Sequence, residues 1–268
     1  MGLEFAKSAD EDDDFPPMPA RYITAEQGNV ASAQRRWRKT IRWRRQEGID
    51  KLFQTIQPHF KLIKDNFPHY YHEYDRLGRF IYIERPGLLN LKVLEVPMLL
   101  QHYMLLSEYA WRVIDPRPDG KSLTIVDVKG IGIKDCGGKV MEFIKKAAHI
   151  GSEYYPERLG VYFIINAPSW FGFIWKMVKP LVPKETREKI FIYSYAKEYK
   201  PALLKFVHPE VLPEEYGGAG KIPLGKSRQE IFLARVDDDA TAENTAFAND
   251  AKVFYGRGGR ERAAVPPG

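Results

Sequence analysis

The sequence has few of the features that mark secreted, membrane-spanning or disulfide-stabilised proteins. Cys136 is the only cysteine in 268 residues, so the chain cannot form an internal disulfide and a reducing compartment, the cytoplasm, is expected. The first residues, MGLEFAKSADEDDDF, lack the apolar core of a signal peptide. Residues 159–175 are uncharged, but a membrane span needs about 20 apolar residues, and this run contains Asn166 and Pro168. We therefore expect no membrane span.

Signatures of catalysis are also missing. Gly130 and Gly132 follow an apolar strand, but Asp135 stands where a dinucleotide-binding turn needs its third glycine. No serine lies in a Gly-x-Ser-x-Gly elbow. The six histidines do not combine with carboxylates at metal-ligand spacing. The sequence therefore predicts a binding protein that is not an enzyme and that needs no metal.

The net charge of +6 is unevenly distributed along the chain. Residues 4–14 are rich in acidic side chains, whereas residues 35–45 (RRWRKTIRWRR) contain basic side chains and no acidic one. Such a run suits the phosphates of lipid headgroups or of nucleic acid. It is equally typical of a solvated helix face whose Trp37 and Ile41 pack inward. A reader motif for nucleic acid is missing, so no nucleic-acid partner is expected.

Composition and periodicity divide the chain into four regions. Residues 1–20 are acidic and then proline-rich, which predicts disorder. Residues 21–66 show helical spacing of apolar side chains, and residues 67–220 alternate strands with helices. Residues 221–268 read as a C-terminal tail. Within the main region, strands are expected at residues 80–84, 122–128, 161–166 and 190–193, and helices at residues 91–113 and 139–152. This alternation predicts an α/β fold.

Polar side chains occur inside the apolar strands. Ser122 and Thr124 alternate with Leu123 and Ile125, so both hydroxyls point to the same side of their strand. Tyr82 stands in the middle of another apolar strand. If these faces meet, they form an apolar cavity with hydroxyls and aromatic rings, which suits an amphiphile with a phosphate and a quaternary amine. The same residue types are also ordinary on a half-buried sheet.

Four blocks in order resemble the CRAL-TRIO, or Sec14-like, lipid-binding family. They are residues 74–82 (YDRLGRFIY), 124–130 (TIVDVKG), 153–168 (EYYPERLGVYFIINAP) and 212–218 (LPEEYGG). The resemblance runs from about Arg35 to Gly218, and it identifies residues 67–220 as the family's domain. It implies a mixed β-sheet that floors a hydrophobic lipid pocket, surrounding helices and a short N-terminal helical region. The implied function is binding and transfer of phosphatidylinositol and phosphatidylcholine between membranes, or presentation of phosphatidylinositol to lipid kinases.

The resemblance also implies three sets of site residues. The phosphatidylcholine headgroup set is Tyr71, Tyr82, Tyr109, Ser122 and Thr124. The phosphatidylinositol headgroup set is Arg21, Glu157, Thr186 and Lys189. A gate helix over the cavity, which touches the membrane when it opens, contains Trp170, Phe171, Phe173, Ile174, Trp175, Lys176, Met177 and Lys179. The alternative for this aromatic segment is a fully buried core helix.

By the same resemblance, the chain is a monomer whose only bound molecule is phospholipid, without a further cofactor. Its partners are anionic membranes, contacted transiently at the Golgi, endosomes or other membranes, and a phosphatidylinositol kinase. Two other functions remain open at this point. The chain could carry another hydrophobic ligand, such as a tocopherol or a sterol, or it could be a lipid-sensing scaffold or regulator.

Overall fold

A computed structural model describes residues 15–238, and residues 1–14 and 239–268 lie outside the described part. The described residues form nine α-helices around one five-stranded sheet. The strands are β1 His69–Tyr74, β2 Phe80–Glu84, β3 Ser122–Asp127, β4 Leu159–Ile165 and β5 Ile190–Ile192. The helices are α1 Ala20–Ala25, α2 Val30–Gln46, α3 Phe60–Asn66, α4 Val96–Tyr109, α5 Gly138–Tyr154, α6 Phe171–Val178, α7 Lys184–Arg187, α8 Ala196–Leu204 and α9 Arg228–Asp238.

The sheet is mixed, and its strands follow chain order from β1 to β5. β1 and β2 are antiparallel, whereas the pairs β2–β3, β3–β4 and β4–β5 are parallel. Every residue of β3 is buried, as is typical of a parallel strand covered on both faces. This architecture confirms the α/β fold with a mixed sheet that the sequence predicts.

One face of the sheet is completely filled by apolar side chains. Ile81, Ile83, Leu123, Ile125 and Phe163 point to this face, and each is fully buried. They pack against Tyr199 and Leu203 of α8 and against the chain that follows it. This packed side fixes the strands of the sheet in place, and the strands position the side chains of the opposite face.

The N-terminal helices are joined to the sheet domain by a buried ion pair. Two guanidinium nitrogens of Arg44, on α2, donate to the Glu108 carboxylate of α4 at 2.9 and 2.8 Å. The Tyr155 hydroxyl donates to the same carboxylate at 2.7 Å. Beside them, the Trp43 ring stacks on Tyr154 with ring centroids 4.0 Å apart. The basic run of α2 is therefore only partly a solvated face, because Arg44 has a structural partner.

The chain is ordered beyond both boundaries that the sequence suggests. The expectation that residues 15–20 are disordered is wrong, because Trp37 Nε1 donates to the Pro16 carbonyl at 2.8 Å and α1 begins at Ala20. At the other end, α9 lies within the expected tail and packs on β1. Its Glu230 carboxylate accepts from the Tyr71 amide at 2.7 Å and from Lys64 at 2.7 Å. The remaining expectations for the two tails fall on residues outside the described part.

The expected helix at residues 91–113 begins later than predicted. α4 starts at Val96 with Pro97 in its first turn. Proline is tolerated there because the backbone N–H groups of the first turn have no hydrogen-bond acceptor within the helix. Residues 110–114 continue it as a π-helical turn. The sequence patterns also gave no indication of β1 or α8. β1 (HYYHEY) lacks apolar alternation, and Pro201 lies inside α8.

We predict that Glu108→Ala lowers the free energy of unfolding by about 3–5 kcal/mol, because it leaves the Arg44 charge partly buried with less compensation. Chemical denaturation at neutral pH measures this change. The matched control is Glu142→Ala, which removes an exposed ion pair with Lys146 on α5. The control should change stability by about 0.5 kcal/mol or less. Equal effects of the two variants would contradict the structural role of Glu108.

Candidate functional site

A polar row crosses the second face of the sheet. Tyr71 of β1 pairs with Tyr82 of β2, Tyr82 pairs with Thr124 of β3, and Thr124 pairs with Tyr162 of β4. Residues paired across neighbouring strands point to the same face of a sheet. Four adjacent strands therefore each contribute one hydroxyl-bearing side chain to a single line.

The structure brings together all five residues of the expected phosphatidylcholine set. The ring centroid of Tyr71 lies 5.2 Å from that of Tyr82 and 5.5 Å from that of Tyr109, which α4 contributes. Ser122 lies two residues before Thr124 and therefore on the same face of the sheet, where it pairs with Phe80 of β2. The set is thus a continuous patch made by three strands and one helix.

Three of these five hydroxyls donate to backbone carbonyls, and the Ser122 hydroxyl donates to the Arg158 carbonyl at 3.4 Å. The Tyr71 hydroxyl donates to the Leu106 carbonyl at 2.8 Å, and the Tyr109 hydroxyl donates to the Gln229 carbonyl of α9 at 2.7 Å. Both rings are fully enclosed. Tyr82, in contrast, keeps part of its side-chain surface accessible. The patch is therefore mostly buried, and Tyr82 is the one of its five residues that keeps accessible surface.

Helix α5 also carries apolar side chains that are neither fully buried nor fully exposed. Its apolar residues lie on one side of the helix, but none of its 17 residues is fully buried. Its lysines and Glu142 are exposed, whereas Met141, Ile144 and Ala148 are half-buried. α5 contacts α4 and the short 3₁₀ turn Lys179–Leu181 that follows α6. An apolar helix side that faces the protein and yet stays partly accessible borders a cavity.

Residues of the second sheet face and of α4 share this combination of accessibility and burial. Glu84 and three tyrosines keep accessible surface, yet burial raises the pKa of each of them. The tyrosines are Tyr82, Tyr103 and Tyr162. Strong desolvation beside accessible surface indicates side chains that face an enclosed space with little contact to bulk water. We infer that the second face of the sheet, around Tyr82, Glu84 and Tyr162, is the floor of an enclosed space on the side of α5.

The expected phosphatidylinositol set is only partly assembled. Glu157 Oε2 lies 3.5 Å from Lys189 Nζ and 3.7 Å from Lys121 Nζ. The Lys189 amide donates to the Thr186 carbonyl at 3.1 Å, so Thr186 and Lys189 share the turn between α7 and β5. Arg21 of α1 contacts none of these three directly. It lies beside Arg158, where burial, and then the charge of Arg21, lower the Arg158 pKa to about 10.

Three arginines of this region carry a buried donor without an acceptor. The Nε atoms of Arg21, Arg158 and Arg187 have no hydrogen-bond partner among residues 15–238. Gln27 Nε2 donates to Glu185 Oε1 at 3.3 Å, which ties the start of the N-terminal region to α7. Unpaired guanidinium donors of this kind suit an anion, and the sequence reasoning missed Arg187 among them.

Helix α6 divides its aromatic side chains between the protein and the solvent. Phe171 and Ile174 are buried against Val126 and Ile164 at the end of the sheet. Phe173 is 60% exposed and Met177 is 38% exposed. Three more side chains of the segment, Trp170, Trp175 and Val178, are half-buried, and Lys176 and Lys179 are exposed. The alternative of a fully buried helix is therefore wrong.

Sequence reasoning missed three cavity residues. The strand alternation of FIYIE could have shown that Glu84 shares the face of Tyr82, since they are two residues apart. Tyr103 and Tyr162 gave no such signal, because their position at the cavity depends on helix placement and strand register.

Two further observations limit the site. Within residues 15–238, no cluster of three or more histidine, cysteine, aspartate or glutamate side chains could hold a metal ion. In the same part of the chain, no helix is both long enough and apolar enough to cross a membrane.

Known proteins resemble this chain over most of its length. The SEC14 cytosolic factor of Eremothecium gossypii is 33% identical over 214 residues, which cover 75% of this chain and 68% of that protein. A CRAL-TRIO domain-containing protein of Saccharomyces cerevisiae is 33% identical over 217 residues, 74% of this chain and 69% of that one. A phosphatidylinositol/phosphatidylcholine transfer protein of Arabidopsis thaliana is 28% identical over 218 residues, which cover 77% of this chain and 37% of that protein.

The fold has a solved counterpart in the crystal structure of Sfh5. The two share a TM-score of 0.63 at 16% identity, over 81% of this chain and 78% of the other. That likeness concerns the fold alone. The model of the CRAL/TRIO domain matches residues 64–218, more than half of the chain, and this protein therefore belongs to the CRAL/TRIO domain family.

Proposed function

We propose that this protein binds single phospholipid molecules in the cavity between the sheet and α5 and transfers them between membranes. The observation that carries the proposal is the polar row on the second face of the sheet, which is the floor of the inferred cavity. Such a floor suits a molecule with acyl chains and one polar headgroup. The relatives support this function, since one of them is named as a phosphatidylinositol/phosphatidylcholine transfer protein.

The two headgroups would use separate residues. Phosphatidylcholine would place its headgroup against Tyr82, Thr124 and Ser122, with the rings of Tyr71 and Tyr109 behind them. Phosphatidylinositol would place its headgroup near Lys189 and Thr186, where the ion pair with Glu157 holds the lysine in position. Arg21 would add a cation from the N-terminal region, and its unpaired Nε supports this role.

Helix α6 would act as the gate of the cavity. Its inner residues, Phe171 and Ile174, hold it against the sheet, and its outer residues, Phe173 and Met177, would enter the membrane surface. Lys176 and Lys179 would meet anionic headgroups there. In this proposal the protein is a monomeric, non-enzymatic carrier of the cytoplasm that visits Golgi, endosomal or other membranes. It could also present phosphatidylinositol to a lipid kinase.

We predict that Lys189→Ala lowers phosphatidylinositol transfer about tenfold or more and leaves phosphatidylcholine transfer unchanged, because charge-assisted hydrogen bonds are worth about 1.5–3 kcal/mol. Transfer of each lipid between vesicles measures the effect. Lys121→Ala is the matched control, since Lys121 also lies beside Glu157. Equal loss of both lipids in Lys189→Ala would contradict the assignment.

The reciprocal variant is Thr124→Val, which removes one hydroxyl from the polar row and keeps the side-chain volume. We predict weaker loading of phosphatidylcholine and normal loading of phosphatidylinositol, because a lost hydrogen bond costs about 0.5–1.5 kcal/mol. Unchanged phosphatidylcholine loading would mean that Thr124 is only a sheet residue.

We predict that replacing Phe173 and Met177 together with alanine slows transfer more than tenfold and changes stability little. Burial of one large side chain in the membrane is worth roughly 1.5–3 kcal/mol, and neither Phe173 nor Met177 belongs to the core cluster that holds α6. Phe171→Ala is the contrast, because it removes a buried ring and should cost about 3–5 kcal/mol of stability. The gate assignment fails if the double variant transfers lipid normally.

A further inference from the structure

Glu84 is the acidic side chain on the cavity floor. Phe80, Tyr82 and Glu84 alternate along β2 with Ile81 and Ile83, which are fully buried on the opposite face. Glu84 lies two residues after Tyr82 and therefore on the face of the polar row. Its side chain keeps part of its surface accessible. A carboxyl group at this position faces the space that the lipid would occupy.

None of the ion pairs among residues 15–238 includes Glu84. Arg85, the next residue, has its guanidinium 3.9 Å from Asp127 and 3.6 Å from Glu215. Lys64 of α3 pairs with Glu230 at 2.7 Å. The basic side chains that flank Glu84 are thus engaged elsewhere. An ionised carboxylate in an enclosed space needs a positive partner or a proton.

The strand partner of Glu84 does not supply the charge. His69 stands opposite Glu84 in the β1–β2 register. Its Nδ1 bonds the Phe67 carbonyl at 2.7 Å, and its Nε2 bonds Nε2 of His102 at 2.9 Å. Burial lowers the pKa of His102 to about 3 and the pKa of His69 well below its ordinary value. Both imidazoles are therefore neutral.

Three phenol groups lie close enough to Glu84 to be affected by its charge. Burial, and then the charge of Glu84, raise the pKa of Tyr103 to about 12, and the same two causes raise that of Tyr82 and Tyr162 well above its ordinary value. These rings come from three elements, namely α4, β2 and β4. The Tyr103 hydroxyl also lies against Gly151 of α5. A Cβ atom added to Gly151 would come within 2.7 Å of this hydroxyl, so only glycine leaves room for it.

A carboxylate among aromatic rings is a site for a quaternary ammonium group, which is attracted to both the charge and the ring faces. Inositol, in contrast, offers only hydroxyls. We propose that Glu84, with Tyr82, Tyr103 and Tyr162, binds the choline cation of phosphatidylcholine and thereby sets the preference of the cavity between the two lipids. This inference rests on the proposed function and extends it to a residue that determines headgroup choice.

A pH dependence follows from the same geometry. Burial raises the pKa of Glu84 to about 7, and a hydrogen bond with Tyr82 opposes the rise. A proton on Glu84 competes with the choline cation, so phosphatidylcholine binding weakens as the pH falls through this value. The other titratable groups on the elements that pack here are Lys64, His69, Tyr71, His102, Tyr103, Tyr162 and Glu230. The histidines and tyrosines keep their neutral forms between pH 6 and pH 8, so Glu84 is the group whose charge changes.

The experiment loads the full chain from vesicles that contain phosphatidylcholine, phosphatidylinositol or a neutral phosphatidylcholine analogue with a dimethylbutyl group in place of choline. The wild type should take up phosphatidylcholine about tenfold or more in preference to the neutral analogue. Glu84→Gln should lose this preference and keep its phosphatidylinositol loading. Glu84→Asp should retain part of the preference. Between pH 8 and pH 6, phosphatidylcholine loading by the wild type should fall about tenfold, and the Gln variant should show no such fall.

Equal uptake of phosphatidylcholine and its neutral analogue by the wild type would overturn the inference, even if the Gln variant does not fold. Equal loss of both natural lipids in a folded Gln variant would also overturn it. These results differ from a failure of the proposed function, in which the wild type takes up none of the three lipids.

Discussion

The two faces of the sheet are filled differently, and this asymmetry is the constraint on which the rest of the structure depends. One face is closed by Ile, Leu, Val and Phe side chains packed against α8, as in an ordinary protein core. The other face carries a row of hydroxyls and lies on the side of α5, a helix without a single buried residue. Close packing normally fills the space under an amphipathic helix, because every unfilled volume loses hydrophobic and dispersion energy. This face is only partly filled, and it is where we expect a ligand to take the place of core side chains.

The helices around the cavity need supports that do not depend on packing against its floor. The Arg44–Glu108–Tyr155 cluster holds α2, α4 and the end of α5 together from outside. Glu230 holds α9 to β1 and α3 on another side. Both clusters are polar, nearly buried and hydrogen-bonded. They fix the positions of the helices without placing side chains in the cavity. On the remaining side, α6 packs its inner side chains, Phe171 and Ile174, against the end of the sheet, and Phe173 stays exposed.

The sequence predicted a large part of this picture. The alternation of strands and helices gave the α/β fold, and the polar residues in the strands pointed to Tyr82, Ser122 and Thr124. The residues of the phosphatidylcholine set converge because β2 and β3 are neighbours in register, which strand alternation alone cannot reveal. Glu84 was accessible to the same reasoning and was missed, whereas Tyr103, Tyr162 and Arg187 depend on tertiary placement. Helix α9 was not predicted, since its mixed charged and apolar pattern resembles a tail until β1 gives it a surface on which to pack.

The central claim is that a phospholipid completes the core of this protein. Mass spectrometry of the lipid that co-purifies with the full chain tests the claim most directly. The account predicts close to one phospholipid per chain, drawn from phosphatidylcholine and phosphatidylinositol. A folded protein that carries no lipid, or that carries a sterol or a tocopherol instead, would contradict it.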